Sequence, residues 1–268
     1  MKMFNLNSRL ANGATATIAL TLFLGAQAAM ACTVGNWTGG NSGNVIPGGP
    51  DVNVARYSGV CAMQTPSAAT AWVQDDSPGG IDRIRARFYV FSGNSADAVV
   101  YRGLAAGGAE VFRVVLRASG AATLSSNGAA VSSNGNDNSW NSVEIDWNGT
   151  AGEMSLSMNG NTPQSIAFTS PGQVASVRVG NLNGAAGTMN FDAYESRRTT
   201  EIGRLCEGET SGDNIRTNDD VLEIFAEVSS AGTELANGQP DFTEDGAITN
   251  DDVLELFEIV ANAQGECP

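Results

Sequence analysis

The sequence predicts a mainly β protein, an antiparallel β-sandwich followed by a small all-α segment. Residues 32–196 are rich in Gly, Ser, Asn, Ala and Val and carry short runs of alternating apolar residues between turn signals. Residues 206–268 lose that alternation and space their apolar residues as a helix does. Between them, residues 197–205, which include Arg197, Arg198, Glu201 and Arg204, read as a short polar linker.

The first 31 of the 268 residues read as a secretory signal peptide. Lys2 and Arg9 are its only charges, Thr17–Leu24 forms an apolar run, and Ala29-Met30-Ala31 fits a small-x-small cleavage site. The run is short of the ~20 residues that span a bilayer, and no second apolar stretch of that length follows. The expectation is a secreted or surface-held bacterial protein, or a periplasmic one, with no transmembrane segment. Cys32 would open the mature chain. Position 29 is Ala where a lipid-attachment box carries Leu, so disulfides are the expected use of the four cysteines. Cys32 with Cys61 and Cys206 with Cys267 form two local pairs, although the count alone permits three connectivities.

The formal net charge is −15, Lys2 is the only lysine, and about half of the acids lie after Leu205. Nucleic acid and anionic membranes are bound through basic surfaces, so neither is an expected partner. Divalent cations are better suited to this composition.

The strand-like runs are Ile84–Phe91, Val111–Leu116, Ser142–Trp147, Met154–Met158 and Val174–Val179. Asn127-Gly128, Asn134-Gly135, Asn148-Gly149 and Asn159-Gly160 supply turns, and Asn-Gly is the strongest short hairpin signal. About 160 residues suffice for one such sandwich with a core. Period-two alternation turns Val143, Ile145 and Trp147 inward and Glu144 and Asp146 outward. Trp37, Trp72, Tyr57, Tyr89, Tyr101 and Trp140 are candidates to stack on sugar rings, against the commoner fate of aromatics as core.

Enzyme chemistry finds little footing. With no His in the chain there is no Ser-His or Cys-His system and no typical zinc site, and no Gly-rich phosphate loop opens a helix. No residue is assigned a catalytic role.

Near the C-terminus Thr217-Asn218-Asp219-Asp220-Val221-Leu222-Glu223-Ile224-Phe225 returns as Thr249-Asn250-Asp251-Asp252-Val253-Leu254-Glu255-Leu256-Phe257. Val253, Leu256, Phe257 and Val260 recur at i, i+3, i+4, i+7, as do Val221, Ile224, Phe225 and Val228. Two such stripes are expected to pack face to face. Before the second copy, Asp241, Thr243 and Asp245 stand at positions one, three and five of a calcium-type loop. Gly246 allows its turn, Ala247 offers a carbonyl, and Asp252 stands at position twelve. In the first copy the equivalents are Glu209, Ser211, Asp213, Ile215 and Asp220, with Asn214 at the turn and Arg216 in place of the apolar Ile248, so weaker binding is expected. Ca2+ is the expected cofactor.

The segment Cys206–Pro268 resembles a dockerin domain, two calcium loops of the form D-x-[NST]-x-D-G-x-[ILV]-x-x-x-D each followed by a helix. That resemblance implies pairing with a cohesin-like domain through loop positions ten and eleven, which are Asn218 with Asp219 and Asn250 with Asp251. The alternative is a calcium-locked module with no such partner. Residues 32–196 resemble a laminin-G-like jelly roll of the concanavalin A-like class. The resemblance is carried by Asp75-Asp76-Ser77-Pro78 before Arg83–Tyr89, by Trp140–Trp147 with Gly152–Met158, and by Met189–Tyr194. It implies recognition of a polysaccharide, surface glycan or protein, and a purely structural surface protein is a further reading. Glu144-Ile145-Asp146 also resembles the start of the E-x-D-x-(x)-E strand of laminarinase-like glycosidases. The strand continues as Trp147-Asn148-Gly149, so the second Glu of that pair of carboxylates is missing.

Overall fold

The computed structural model describes residues 34–48, 54, 57, 61–206, 208–210, 215–229, 242 and 249–266. Two antiparallel sheets hold most of them, with strands numbered in chain order. One sheet runs β1 (Ile46–Gly48), β2 (Ala62–Thr65), β13 (Met189–Arg197), β4 (Arg83–Phe91), β9 (Trp140–Asn148), β10 (Glu153–Met158) and β11 (Gln164–Ala167). The other runs β3 (Ala71–Asp75), β12 (Ser176–Asn181), β5 (Ala98–Leu104), β6 (Glu110–Leu116), β7 (Ala122–Ser126) and β8 (Ala129–Ser133). The chain changes sheet after β2, β3, β4, β8, β11 and β12. Such repeated exchange gives a jelly-roll-like sandwich and not a meander.

Alternation decides which residues fill the space between the sheets. On β9, Val143, Ile145 and Trp147 are buried, while Glu144 and Asp146 face out. The same inner layer receives Ile84, Phe88 and Val90 from β4 and Tyr101, Phe112, Val114, Leu124 and Val179 from the opposite sheet. The Trp147 ring lies 5.8 Å from Phe112 and 5.7 Å from Phe168, centroid to centroid. Asn141 also points inward, and its amide is fully used. It donates to Asn136 O, Ser139 O and Ser92 Oγ and accepts from Asn136 N and Asn159 Nδ2, which pins the β8–β9 loop.

Asn127-Gly128 forms the two-residue turn between β7 and β8, with φ of 45° and 83°. Both values are left-handed, as a type I′ turn demands. At Asn148-Gly149 the left-handed residue is instead Gly152 (φ 67°), because a four-residue loop joins β9 to β10.

The C-terminal segment contains α1 (Asn218–Ser229), α2 (Asn250–Ala263) and a short pair of β14 (Ile215–Arg216) with β15 (Gly265–Glu266). Ile224, Leu256 and Val260 are buried between the helices, flanked by Val221, Val228, Val253 and Phe242. The expected stripe is too wide at one edge. Phe225 and Phe257 are 54 % and 57 % exposed, and Leu222 and Leu254 are exposed beside them. A residue that follows Ile224 or Leu256 sits about 100° further round the helix. A contact between only two helices is too narrow to cover both columns.

Cys61 and Cys206 are each engaged in a disulfide, and no described cysteine is free. Cys32 and Cys267 lie outside the described residues, as does the signal segment. Among the described residues no helix is long and apolar enough to cross a membrane.

Candidate functional site

The outward residues of the seven-stranded sheet form two ordered rows. Register sets Glu195 beside Arg87, Arg87 beside Glu144, and Glu144 beside Ser157. The next row runs Arg197, Arg85, Asp146, Ser155. Opposite charges meet at Glu195–Arg87, Arg87–Glu144 and Arg85–Asp146, where cross-strand pairs stabilise a sheet, while Arg197 and Arg85, side by side, turn to Glu195 and Asp146.

Residues 197–205 are not slack. After β13 the chain reverses and runs back over this face alongside β4. Arg85 donates to Thr199 O at 2.8 Å, Arg87 to Gly203 O at 3.3 Å, and Leu205 N donates to Tyr89 Oη at 3.0 Å. Leu205 is buried among Tyr57, Tyr89 and Trp140, and the Tyr57 and Tyr89 rings stack with centroids 3.7 Å apart. The alternating outward residues of β4 thus hold a strap. Tyr89→Phe is expected to cost about 1–3 kcal/mol, because a buried N–H loses its acceptor. Thermal melting measures the loss, and the Leu205 amide should exchange faster with solvent.

Beneath the strap lies a recess of about 170 Å³ lined by Arg85, Glu144, Asp146, Ser155, Ser157, Pro163 and residues Glu201–Gly203. Burial raises the pKa of Glu144 above the ordinary carboxylate value, against the opposing fields of Arg87 and Arg204 and a hydrogen bond from the Gly203 backbone. Burial would raise Asp146 as well. Hydrogen bonds from Arg83 and Arg85, at 2.6–3.0 Å, outweigh it and hold that carboxylate below its usual range. Glu201, the other acid at the rim, is 88 % exposed and pairs with Arg85 at 3.5 Å. One partly desolvated carboxylate thus faces a polar recess beside hydroxyl groups, and its nearest acidic neighbour on the strand is tied up by two arginines.

Most of the aromatic candidates belong to the core. Tyr57, Tyr89, Tyr101 and Trp140 are buried, whereas Trp37 and Trp72 are half-buried. Trp37 leans on Tyr194 with ring centroids 5.0 Å apart, and Trp72 carries the Arg178 guanidinium 4.0 Å above its ring.

In the C-terminal segment, Asp241, Thr243, Asp245, Ala247, Ser211 and Asp213 lie outside the described residues. Glu209, Asp220 and Asp252 are described, and all three are fully buried. Buried carboxylates demand hydrogen bonds or a cation. Asp220 accepts from Thr210 N and Thr217 N, both at 2.7 Å, and Asp252 accepts from Thr249 N at 2.7 Å. In return, Thr217 and Thr249 hydroxyls accept from Asp219 N and Asp251 N. The repeated Thr-Asn-Asp-Asp is therefore a pair of capping boxes, a role that the loop spacing alone did not reveal. Among the described residues no three acidic side chains come together to hold a metal ion, and the other expected acidic loop ligands lie outside them. The Ile215 backbone lies in β14, paired with Glu266. Asn218, Asp219, Asn250 and Asp251 are all exposed at the helix starts. Each pair lies one turn before an exposed apolar pair, Leu222 with Phe225 and Leu254 with Phe257.

No family model matches the chain, and no curated protein does. Among solved structures, a sialidase is similar over 52 % of this chain and 15 % of its own, at 11 % identity and a TM-score of 0.42. The receptor-binding domain of botulinum neurotoxin type G is similar over 59 % of this chain and 44 % of its own, at 11 % identity and 0.41. The binding domain of serotype D/C gives 10 % identity and 0.38, over 59 % and 44 %. The chain thus spans less than half the length of each. At these scores the neighbours carry no argument about ligands, and the sandwich stands on its own strand pairing.

Proposed function

We propose that this is an exported, non-catalytic binding protein whose sandwich recognises a glycan or other surface ligand and whose C-terminal module attaches it in a calcium-dependent way. Glu144 carries the first part. A carboxylate kept partly desolvated in a polar recess costs stability, and such groups concentrate at functional sites. Catalysis by paired carboxylates is disfavoured because Asp146 is neutralised by Arg83 and Arg85.

The sign of the linkage supplies a test. The folded-state pKa of Glu144 is raised, so its contribution to stability is full below the unfolded value and is lost as pH rises through the folded one. Glu144→Gln is therefore expected to melt at the same or a higher temperature at pH 7, with no gain near pH 4. The same variant should bind glycans on an array at least tenfold more weakly than wild type. New reducing ends released from a polysaccharide panel by wild type, and abolished by Glu144→Gln, would establish a glycoside hydrolase instead.

Calcium would be held in the second loop by Asp241, Thr243, Asp245, the Ala247 carbonyl and Asp252. In the first, Glu209, Ser211, Asp213, the Ile215 carbonyl and Asp220 would hold it. Bound calcium would neutralise clustered acids that otherwise repel, fixing the loops against the helices. Attachment to a cohesin-like or other partner is supported by the two equivalent exposed faces, each an Asn-Asp pair next to a Leu-Phe pair.

A further inference from the structure

The outer face of the six-stranded sheet gathers like charges in a single row. Register places Gln74 beside Arg178, Arg178 beside Arg102, Arg102 beside Arg113, and Arg113 beside Ser125. Three arginines therefore stand side by side on adjacent strands, their stems within about 10 Å at ordinary strand spacing. Like charges directly opposite destabilise a sheet, and this chain carries a net charge of −15 with acids to spare. Glu110 offsets part of the row, reaching Arg102 at 2.9 Å and Arg113 at 3.5 Å.

Arg178 has no such relief. Among the described residues no carboxylate forms an ion pair with it. Its Nε donates to Gln74 Oε1 at 2.6 Å, and its plane rests on the half-buried Trp72 ring. Gln74 in turn donates to Asp76, so the amide passes on only a remote negative charge. The Trp72 ring seats the guanidinium, and among the described residues nothing accepts from its two terminal nitrogens, a fork shaped for one carboxylate. Burial and the field of Arg102 work against the charged form of Arg178, the field of Asp76 offsets them in part, and a bound anion would add to that offset.

We infer that this face is a second ligand site, distinct from the Glu144 recess, which binds the carboxylates of an acidic oligosaccharide along the arginine row with Arg178 as its principal fork. The flanking groups suit a sugar chain. Ser125 and Ser176 offer hydroxyl groups, and Trp72 offers an aromatic edge. None of the large apolar side chains that are exposed among the described residues lies on these strands to anchor a peptide.

The test is calorimetric titration of the full chain at physiological salt with a hexuronate hexamer, the same hexamer with its carboxyls reduced to alcohols, and oligoglutamate of equal charge. The hexuronate should bind, and the reduced hexamer and the peptide should not. Arg178→Ala and Arg178→Lys should each weaken the hexuronate at least tenfold, because an ammonium cannot reproduce the fork. Arg113→Gln, at an exposed position, gives a second reading with little burden on folding and should weaken binding severalfold. Absence of hexuronate binding, equal binding of the reduced hexamer or the peptide, or wild-type affinity in Arg178→Ala would each overturn the site.

Discussion

Trp147→Ala is expected to destabilise the sandwich by about 3–5 kcal/mol, the usual cost of deleting a large buried aromatic side chain. The indole is wholly buried and wedged between Phe112 of the facing sheet and Phe168. Its N–H reaches Ser126 Oγ at 3.4 Å, and that hydroxyl donates to Val111 O, so the ring also fixes the end of β7. The backbone at Gly149 also lies against the indole. For a domain of this size the loss corresponds to a fall in melting temperature of roughly 10 °C. Trp147→Phe, which keeps an aromatic ring, should recover more than half of it. A loss under about 1 kcal/mol for the alanine variant would show that the two sheets are not joined through this side chain.

The second large effect concerns the buried acids at the helix starts. Asp220→Ala removes a carboxylate that accepts from two backbone N–H groups and is expected to cost about 2–4 kcal/mol in the C-terminal segment, since both donors lose their acceptor and that of Thr210 stays buried. Asp252 accepts from Thr249 N within a capping box, so with calcium chelated Asp252→Ala should cost at least about 1 kcal/mol. With calcium at a hundred times its dissociation constant, ligation would add about 2.7 kcal/mol to wild type, and the variant would forfeit most of it. Differential scanning calorimetry with and without chelator separates the two roles. An equal cost in both conditions would make Asp252 a cap and nothing more.

The sequence made the strands legible wherever one face is core and the other is water. Val143, Ile145 and Trp147 alternate with polar residues because burial alternates, and Asn127-Gly128 marks a turn because few other pairs adopt two left-handed residues cheaply. The helices were legible in the same way, down to Ile224 and Leu256. Their apolar period gave the direction of the buried face but not its width, which depends on how many neighbours a helix has. Hence the period places Phe225 and Phe257 in a core that the two described helices are too few to build. Asn141 reads as a polar interruption until the loop it satisfies is in place. The arginine row was hidden for a different reason. Arg102, Arg113 and Arg178 are remote in sequence and become neighbours only through strand order and register, which periodicity does not encode. Likewise nothing local to Leu205 announces Tyr89 and Trp140 as its seat.

The strap has a mechanical consequence. Any load pulled through the C-terminal segment enters the sandwich at Leu205 and meets the Tyr89 hydrogen bond first, then the Gly203–Arg87 contact, and only then the strand ladder of β13 against β4. These contacts lie in series along a doubled-back chain, so they peel one at a time instead of sharing the force. A molecule anchored at its C-terminus and held by its ligand would uncover Glu144 under tension while its sheets stayed intact, making grip on the ligand a function of pull.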